Sequence, residues 1–137
     1  LTGYLQVKNA LANDNGNDSA DGGKAISEAM AKLDKSSMSA VQTTAYNAVA
    51  DDMKENAEHI HDNSGKIAHQ REHFEMLSQD MYDLVKSFTG TQTLYKDFCP
   101  MANDNKGAFW ISETKEIKNP YLGKKMPTCG EVKEEIK

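Results

Sequence analysis

Three kinds of residue are scarce in this chain of 137 residues, which contains three prolines, two cysteines and one tryptophan. The chain also lacks any apolar run close to the roughly 18 residues that a membrane-spanning helix needs, so the sequence predicts no transmembrane segment. No basic start is followed by a continuous apolar core, and we therefore expect no signal peptide within it. Positive charge is short as well, with 16 Lys and Arg against 21 Asp and Glu. A net charge of −5 argues against binding to nucleic-acid phosphates.

The scarce residues are unevenly placed, because every proline, both cysteines and the tryptophan lie in the last third of the chain. This change in composition divides the chain into a helical part, residues 1–90, and a tail, residues 91–137. A chain of 137 residues is typical of one domain. The tail carries large aromatic side chains that a free linker would not, among them Phe98, Phe109, Trp110 and Tyr121. We therefore expect a single domain over residues 1–137, with the tail packed on the helices.

Apolar residues recur at helical spacing in four segments of the helical part, which indicates amphipathic helices. Ser39 and Gln42 form a capping-box pattern that predicts the start of the third helix, and a polar turn near residues 62–65 predicts its end. The fourth segment keeps a heptad spacing from Ile67 to Phe88, with Leu77 on the apolar stripe. Four amphipathic helices joined by short turns predict a mainly α fold, an antiparallel four-helix bundle.

The tail has the composition of short strands and turns. Thr93–Cys99 and Ala108–Ser112 are rich in aromatic and β-branched residues and flank a turn-forming segment, which predicts a short β-hairpin. Thr128 and Glu131 form a second capping-box pattern, which predicts a short terminal helix from Cys129 to about Ile136. We therefore expect an irregular tail that contains one hairpin and one terminal helix.

Sulfur-containing residues form a nearly mirrored pattern in the tail, with Cys99 and Met101 on one side and Met126 and Cys129 on the other. Thiolate and thioether sulfurs are soft donors that select Cu(I), so these four residues are candidate metal ligands. The alternative is a Cys99–Cys129 disulfide, which would close a loop of about 30 residues. The residues alone leave both interpretations open.

Histidines supply the second set of candidate ligands. His69 and His73 are four residues apart and share one face of the fourth helix, a spacing that can chelate Cu, Zn or Ni. The alternative is a half-buried helix flank whose imidazoles are hydrogen-bonded to a carboxylate or a backbone oxygen. For His59 and His61, near the end of the third helix, we expect a solvated helix end.

Catalytic signatures are absent from the sequence. It has no nucleophile elbow, no P-loop, no glycine pattern for dinucleotides and no EF-hand spacing. The residues between His69 and His73 are Gln, Arg and Glu, so the zinc-protease motif is absent too. We therefore predict that the protein is not an enzyme.

Several motifs in order resemble a bacterial domain family of unknown function that occurs alone or fused to adaptor subunits of copper and silver efflux pumps. The motifs are His69–Phe74, Phe98–Met101, Gly107–Ser112 and Ile117–Val132. The resemblance runs from Tyr4 through Val132 and is strongest from His69 onward. It implies heavy-metal-linked biology and a periplasmic or cell-surface location.

The resemblance and the donor chemistry together lead us to expect a metal-binding module for copper homeostasis or efflux. Copper is the expected ion, with zinc and silver as weaker candidates, and an efflux adaptor is the expected protein partner. The residues nominated as metal ligands are His69, His73, Cys99, Met101, Met126 and Cys129. The alternative function is a non-catalytic interaction module of an envelope complex, with a Cys99–Cys129 disulfide and no metal.

Overall fold

The computed structural model describes residues 1–88 and 92–137, and the predicted boundary between helical part and tail at residue 90 lies outside them. The chain is mainly helical, with four long helices followed by a three-stranded antiparallel sheet. The helices are α1 (Thr2–Ala12), α2 (Gly16–Ala31), α3 (Ala40–Asp62) and α4 (Ile67–Val85), and the strands are β1 (Leu94–Cys99), β2 (Ala108–Ser112) and β3 (Glu131–Ile136). Among the described residues, no helix combines the length and the apolar character needed to cross a membrane.

The start of α3 is the capping box that the sequence predicts. The Gln42 N–H donates to Ser39 Oγ at 3.1 Å, and the Ser39 N–H donates to Gln42 Oε1 at 3.0 Å. These two bonds satisfy backbone donors that the first helical turn leaves without partners. The helix ends at Asp62 and α4 begins at Ile67, so a short turn joins two helices that pack side by side.

α2 begins inside a polar segment of turn-forming residues, Asn13–Asp18. The Asn15 side chain accepts the Asp18 N–H at 3.0 Å, so this asparagine caps a helix that begins at Gly16. Two glycines then allow close packing on both sides of α2. A Cβ atom at Gly22 would lie 2.7 Å from a methyl carbon of Val7 in α1, and one at Gly23 would lie 2.6 Å from the Ala57 carbonyl oxygen in α3.

The apolar stripe of α4 faces the core, as its heptad spacing predicts. Phe74 and Leu77 are fully buried. Gln70, a polar residue on the same stripe, is also fully buried and donates to the carbonyl oxygens of Gly16 (3.0 Å) and Ile60 (2.9 Å). A buried amide on an apolar stripe therefore ties α4 to both α2 and α3.

The residues after 92 pack against these helices. Trp110 and Ile111 are fully buried, and the Ile111 N–H donates at 3.0 Å to the hydroxyl of Tyr4, which is 2.7 Å from Ser78 Oγ. Tyr4 thus joins α1, α4 and β2 through one side chain. The Tyr121 hydroxyl donates to the Phe109 carbonyl oxygen at 2.6 Å. One buried apolar cluster contains residues of the helices and of the sheet.

The sheet confirms the predicted hairpin and corrects the predicted terminal helix. β1 pairs antiparallel with β2, and Asp97 lies opposite Trp110. Glu131–Ile136 is not a helix but β3, which pairs antiparallel with the other edge of β1 and makes the strand order β2-β1-β3. The capping-box pattern at Thr128 and Glu131 was therefore a wrong indication.

The segment Glu131–Ile136 forms a strand and not a helix because of contacts with residues outside it. The Asn119 side chain donates to the Cys129 carbonyl oxygen at 2.8 Å, and the Asn119 N–H donates to the Pro127 carbonyl oxygen at 2.9 Å. Gly130 then turns the chain with a φ of +139°, a conformation that suits glycine. The unpaired edge of β1 provides hydrogen bonds that outweigh the local helix signal, because strand formation depends strongly on tertiary context.

Candidate metal centre

Three histidines from two helices meet at the α3–α4 interface. His59 lies on α3, and His69 and His73 lie one turn apart on α4. One ring nitrogen from each lies within 4.8 Å of those of the other two. Within residues 1–88 and 92–137, this is the one group of three or more His, Cys, Asp or Glu side chains so close together. We call it the histidine cluster.

The spacing of the cluster suits a transition-metal ion. His69 Nε2 and His73 Nε2 are 3.2 Å apart. Two imidazole nitrogens bound at 2.0–2.1 Å in a tetrahedral site would be about 3.4 Å apart, which is close to this distance. The His59 ring stacks on the His73 ring with centroids 4.3 Å apart. The planes of these two rings are 8° apart, so His59 would have to rotate to direct a nitrogen at the same ion, and its side chain is 46% exposed.

The outward-facing nitrogens of the α4 pair each have an oxygen atom nearby, and that of His73 is hydrogen-bonded to it. His73 Nδ1 is 2.8 Å from Asn56 Oδ1, and His69 Nδ1 is 3.3 Å from a Glu72 carboxylate oxygen. Metal-binding histidines commonly donate their second ring N–H to such an oxygen, which orients the ring and leaves the other nitrogen for the ion. The two Nε2 atoms face each other at hydrogen-bond distance, so one of them carries a proton that must leave before both can bind the same ion.

Burial lowers the pKa of His73, and the neighbouring His59 and His69 lower it further because three imidazolium charges would repel one another. A lowered pKa keeps the imidazole neutral near pH 7, and the neutral form is the one that binds metal. The electrostatics and the hydrogen bonds of the cluster therefore favour the same protonation state.

The sulfur residues of the tail have a different arrangement. Cys99 and Cys129 form a disulfide, the alternative that the sequence left open, and in this state neither offers a thiolate. Neither cysteine belongs to the histidine cluster. Met101 and Met126 are 47% and 38% exposed. Of the six predicted ligands, the structure brings together His69 and His73 and joins them with His59.

His59 is the residue that sequence reasoning missed. A signal for it exists in the spacing, because the turn near residues 63–66 folds two antiparallel helices against each other. Positions equally far from that turn then face each other, which places His59 opposite residue 70 and between His69 and His73. His61 lies on another side of α3, where its Nδ1 is 3.3 Å from the Ala20 carbonyl oxygen in α2.

Arg71, between the two cluster histidines of α4, has a structural role. Its guanidinium donates to the carbonyl oxygens of Leu11 (2.7 Å) and Pro120 (2.8 Å) and pairs with the Asp14 carboxylate at 2.7 Å. This pairing lowers the pKa of Asp14. Arg71 thereby fixes the helix that carries His69 and His73 to α1 and to the segment after the hairpin.

Comparison with known proteins gives a family and no function. No curated protein matches the chain, and no solved structure matches it. The model of DUF3347, a family described as protein of unknown function, matches residues 1–93. This match includes all three histidines of the cluster and ends before β1. The chain therefore belongs to the DUF3347 family of proteins of unknown function.

Proposed function

We propose that this protein is an extracytoplasmic metal-binding module that holds a copper ion through His59, His69 and His73. The observation that carries the proposal is the convergence of three imidazoles within 4.8 Å, with His73 already held by a hydrogen bond at Nδ1. In the proposal the four helices act as an antiparallel bundle, whose packing would keep the two helices that carry the ligands at a fixed distance.

Copper is proposed as the ion because of the donor set. Imidazole suits copper, zinc and nickel, and among divalent ions of the first transition row Cu²⁺ binds a given nitrogen site most tightly. The disulfide supports a compartment outside the cytoplasm, where such bonds persist. Because the disulfide leaves no thiolate, we propose a Cu²⁺ site of imidazoles in place of the Cu(I) site that the sulfur pattern predicts. The expected recipient of the ion is an efflux adaptor protein.

A second candidate is the interaction module, in which the disulfide stabilises the tail and no metal is bound. An apolar cavity of about 460 Å³ between α2 and α4 favours it, because a partner could place an apolar group there. The cavity walls include Met30, Leu33, Leu84 and Val85.

Titration of the untagged protein with Cu²⁺ and with Zn²⁺ tests the proposal, read by calorimetry and by native mass spectrometry. We expect one ion per chain and tighter binding of Cu²⁺ than of Zn²⁺. Replacing a residue that binds the ion directly should weaken binding by more than the roughly 10- to 100-fold effect of losing a hydrogen-bond partner of a ligand, so His59→Ala should exceed that range.

His61→Ala is the matched control, since it removes an imidazole two residues away that is outside the cluster. It should leave the affinity unchanged. Equal losses in His59→Ala and His61→Ala would mean that binding is not at the cluster. No binding by the intact protein at micromolar metal would favour the interaction module.

A further inference from the structure

A hydrogen-bonded chain leads from the histidine cluster into the α3–α4 interface through Asn56. This residue is only 3% exposed, although asparagine is a surface residue in most proteins. Its Oδ1 is 2.8 Å from His73 Nδ1. Its Nδ2 donates to the Asp52 carbonyl oxygen at 3.0 Å and to an Asp52 carboxylate oxygen at 3.2 Å. Asn56 therefore contacts both α4 and the preceding turn of α3.

These contacts fix which way the amide of Asn56 points. Both partners of Nδ2 are oxygens that only accept hydrogen bonds, so the NH₂ group must face Asp52 and the carbonyl oxygen must face His73. An amide oxygen cannot donate, so the hydrogen bond of 2.8 Å requires a proton on His73 Nδ1. A neutral imidazole with a proton on Nδ1 has its lone pair on Nε2.

We infer that Asn56 is a positioning residue of the metal centre, which holds His73 in the Nδ1–H tautomer and so presents the Nε2 lone pair to the ion. The consequence for metal binding rests on the proposed function, whereas the tautomer of His73 can be tested in the metal-free protein. His73 Nε2 lies 3.2 Å from His69 Nε2, so in the metal-free protein its lone pair accepts the His69 Nε2–H, and that proton leaves when both nitrogens bind one ion. Without Asn56, part of the His73 population would carry its proton on Nε2 and would have to change tautomer before binding.

Two variants of nearly the same size separate this role from simple packing. Asn56→Leu removes the acceptor, whereas Asn56→Asp keeps an oxygen that accepts from His73 Nδ1 and, with a proton on its second oxygen, can still donate to Asp52. The control is Asn47→Leu, which makes the same chemical change at an exposed position of the same helix. Circular dichroism melts establish that each variant folds before it is compared.

The first measurement is a long-range proton–nitrogen correlation spectrum of the metal-free protein, at a pH where His73 is neutral. We expect the Nδ1–H tautomer for His73 in the intact protein, in Asn56→Asp and in Asn47→Leu, and a loss of that preference in Asn56→Leu. The Nε2–H tautomer in the intact protein, or an unchanged tautomer in Asn56→Leu, would overturn the inference. If Asn56→Leu fails to fold, the tautomer of His73 in the intact protein and in Asn56→Asp decides. The Nε2–H tautomer in either protein would overturn the inference.

The second measurement is the affinity for Cu²⁺. Loss of an outer-shell partner weakens metal binding by about 10- to 100-fold, which is our expectation for Asn56→Leu. Asn56→Asp should bind as tightly as the intact protein or more tightly, and Asn47→Leu should match it. Unchanged affinity in Asn56→Leu, with an altered tautomer, would overturn the link to metal binding. An intact protein with the expected tautomer but no Cu²⁺ binding would refute the proposed function and leave the hydrogen-bond assignment of Asn56 standing.

Discussion

The Cys99–Cys129 disulfide joins the end of β1 to the segment that leads into β3, across 30 positions of the chain. Closing a loop of about 30 residues in the unfolded chain stabilises the folded state by about 3.7 kcal/mol in the chain-entropy treatment. The Asn119 hydrogen bonds and the β1–β3 ladder hold the same segment without the sulfurs. We therefore expect the reduced protein to stay folded and to lose about 3–4 kcal/mol of unfolding free energy.

Urea unfolding followed by circular dichroism, with and without reductant, measures this loss. The double variant Cys99→Ala with Cys129→Ala is the control, because its stability should not respond to reductant. Cys99 is fully buried, so the variant should also lose packing and be less stable than the reduced protein by about 1 kcal/mol. The difference between reduced and oxidised protein isolates the cross-link from this packing contribution.

Two results would contradict this prediction, one in which the loss of stability is too small and one in which it is too large. A loss below about 1 kcal/mol on reduction would mean that the unfolded chain is already constrained without the disulfide, so that loop entropy is not the source of its effect. Complete unfolding on reduction would mean that the hydrogen bonds of Asn119 and the strand ladder do not hold the segment. Two titratable thiols in the untreated native protein would contradict the disulfide itself.

Three further predictions concern the core, the charges and the sulfurs. Leu77→Ala should cost about 2–5 kcal/mol in urea unfolding, because Leu77 is fully buried, and a loss under about 1 kcal/mol would contradict the packing of α4. Burial and the neighbouring Asp52 carboxylate raise the pKa of Asp80 from 3.8 to about 7, so the folded state binds more protons than the unfolded state, and stability falls as the pH rises between those values. Asp80→Asn should therefore stabilise the protein by about 1 kcal/mol above pH 7 and have little effect below pH 4, since solvent screens this partly exposed pair; an equal effect at both pH values would count against it. The double change Met101→Leu with Met126→Leu should leave Cu²⁺ affinity unchanged in calorimetry, and a marked loss would restore the thioethers as ligands.

The α3–α4 pair could be predicted from the sequence because its signals are local. The capping box at Ser39 and Gln42 involves neighbours within one turn, and the stripe that contains Leu77 needs only helical periodicity. Both features are present in the structure. Residues that determine such helices are close in the chain, so no knowledge of the tertiary fold is required.

The terminal strand and His59 could not be predicted in the same way. Glu131–Ile136 becomes a strand because the edge of β1 lies beside it, and its local pattern favours a helix start instead. His59 has the sequence context of an ordinary helix-end residue until α3 and α4 are laid against each other. In both cases the deciding partner is supplied by tertiary packing, which the pattern of a single segment does not contain.

The hydrogen bond from Ile111 to Tyr4 limits how short a fragment of this protein can be for expression. The family match ends at residue 93, yet Tyr4 and Arg71, both inside it, use partners beyond that point in Ile111 and Pro120. A fragment that stops at residue 93 would lose these partners and uncover the apolar surface now covered by Trp110. Exposed apolar surface of this kind promotes aggregation. The unit recognised by sequence comparison is therefore shorter than the unit that should be purified.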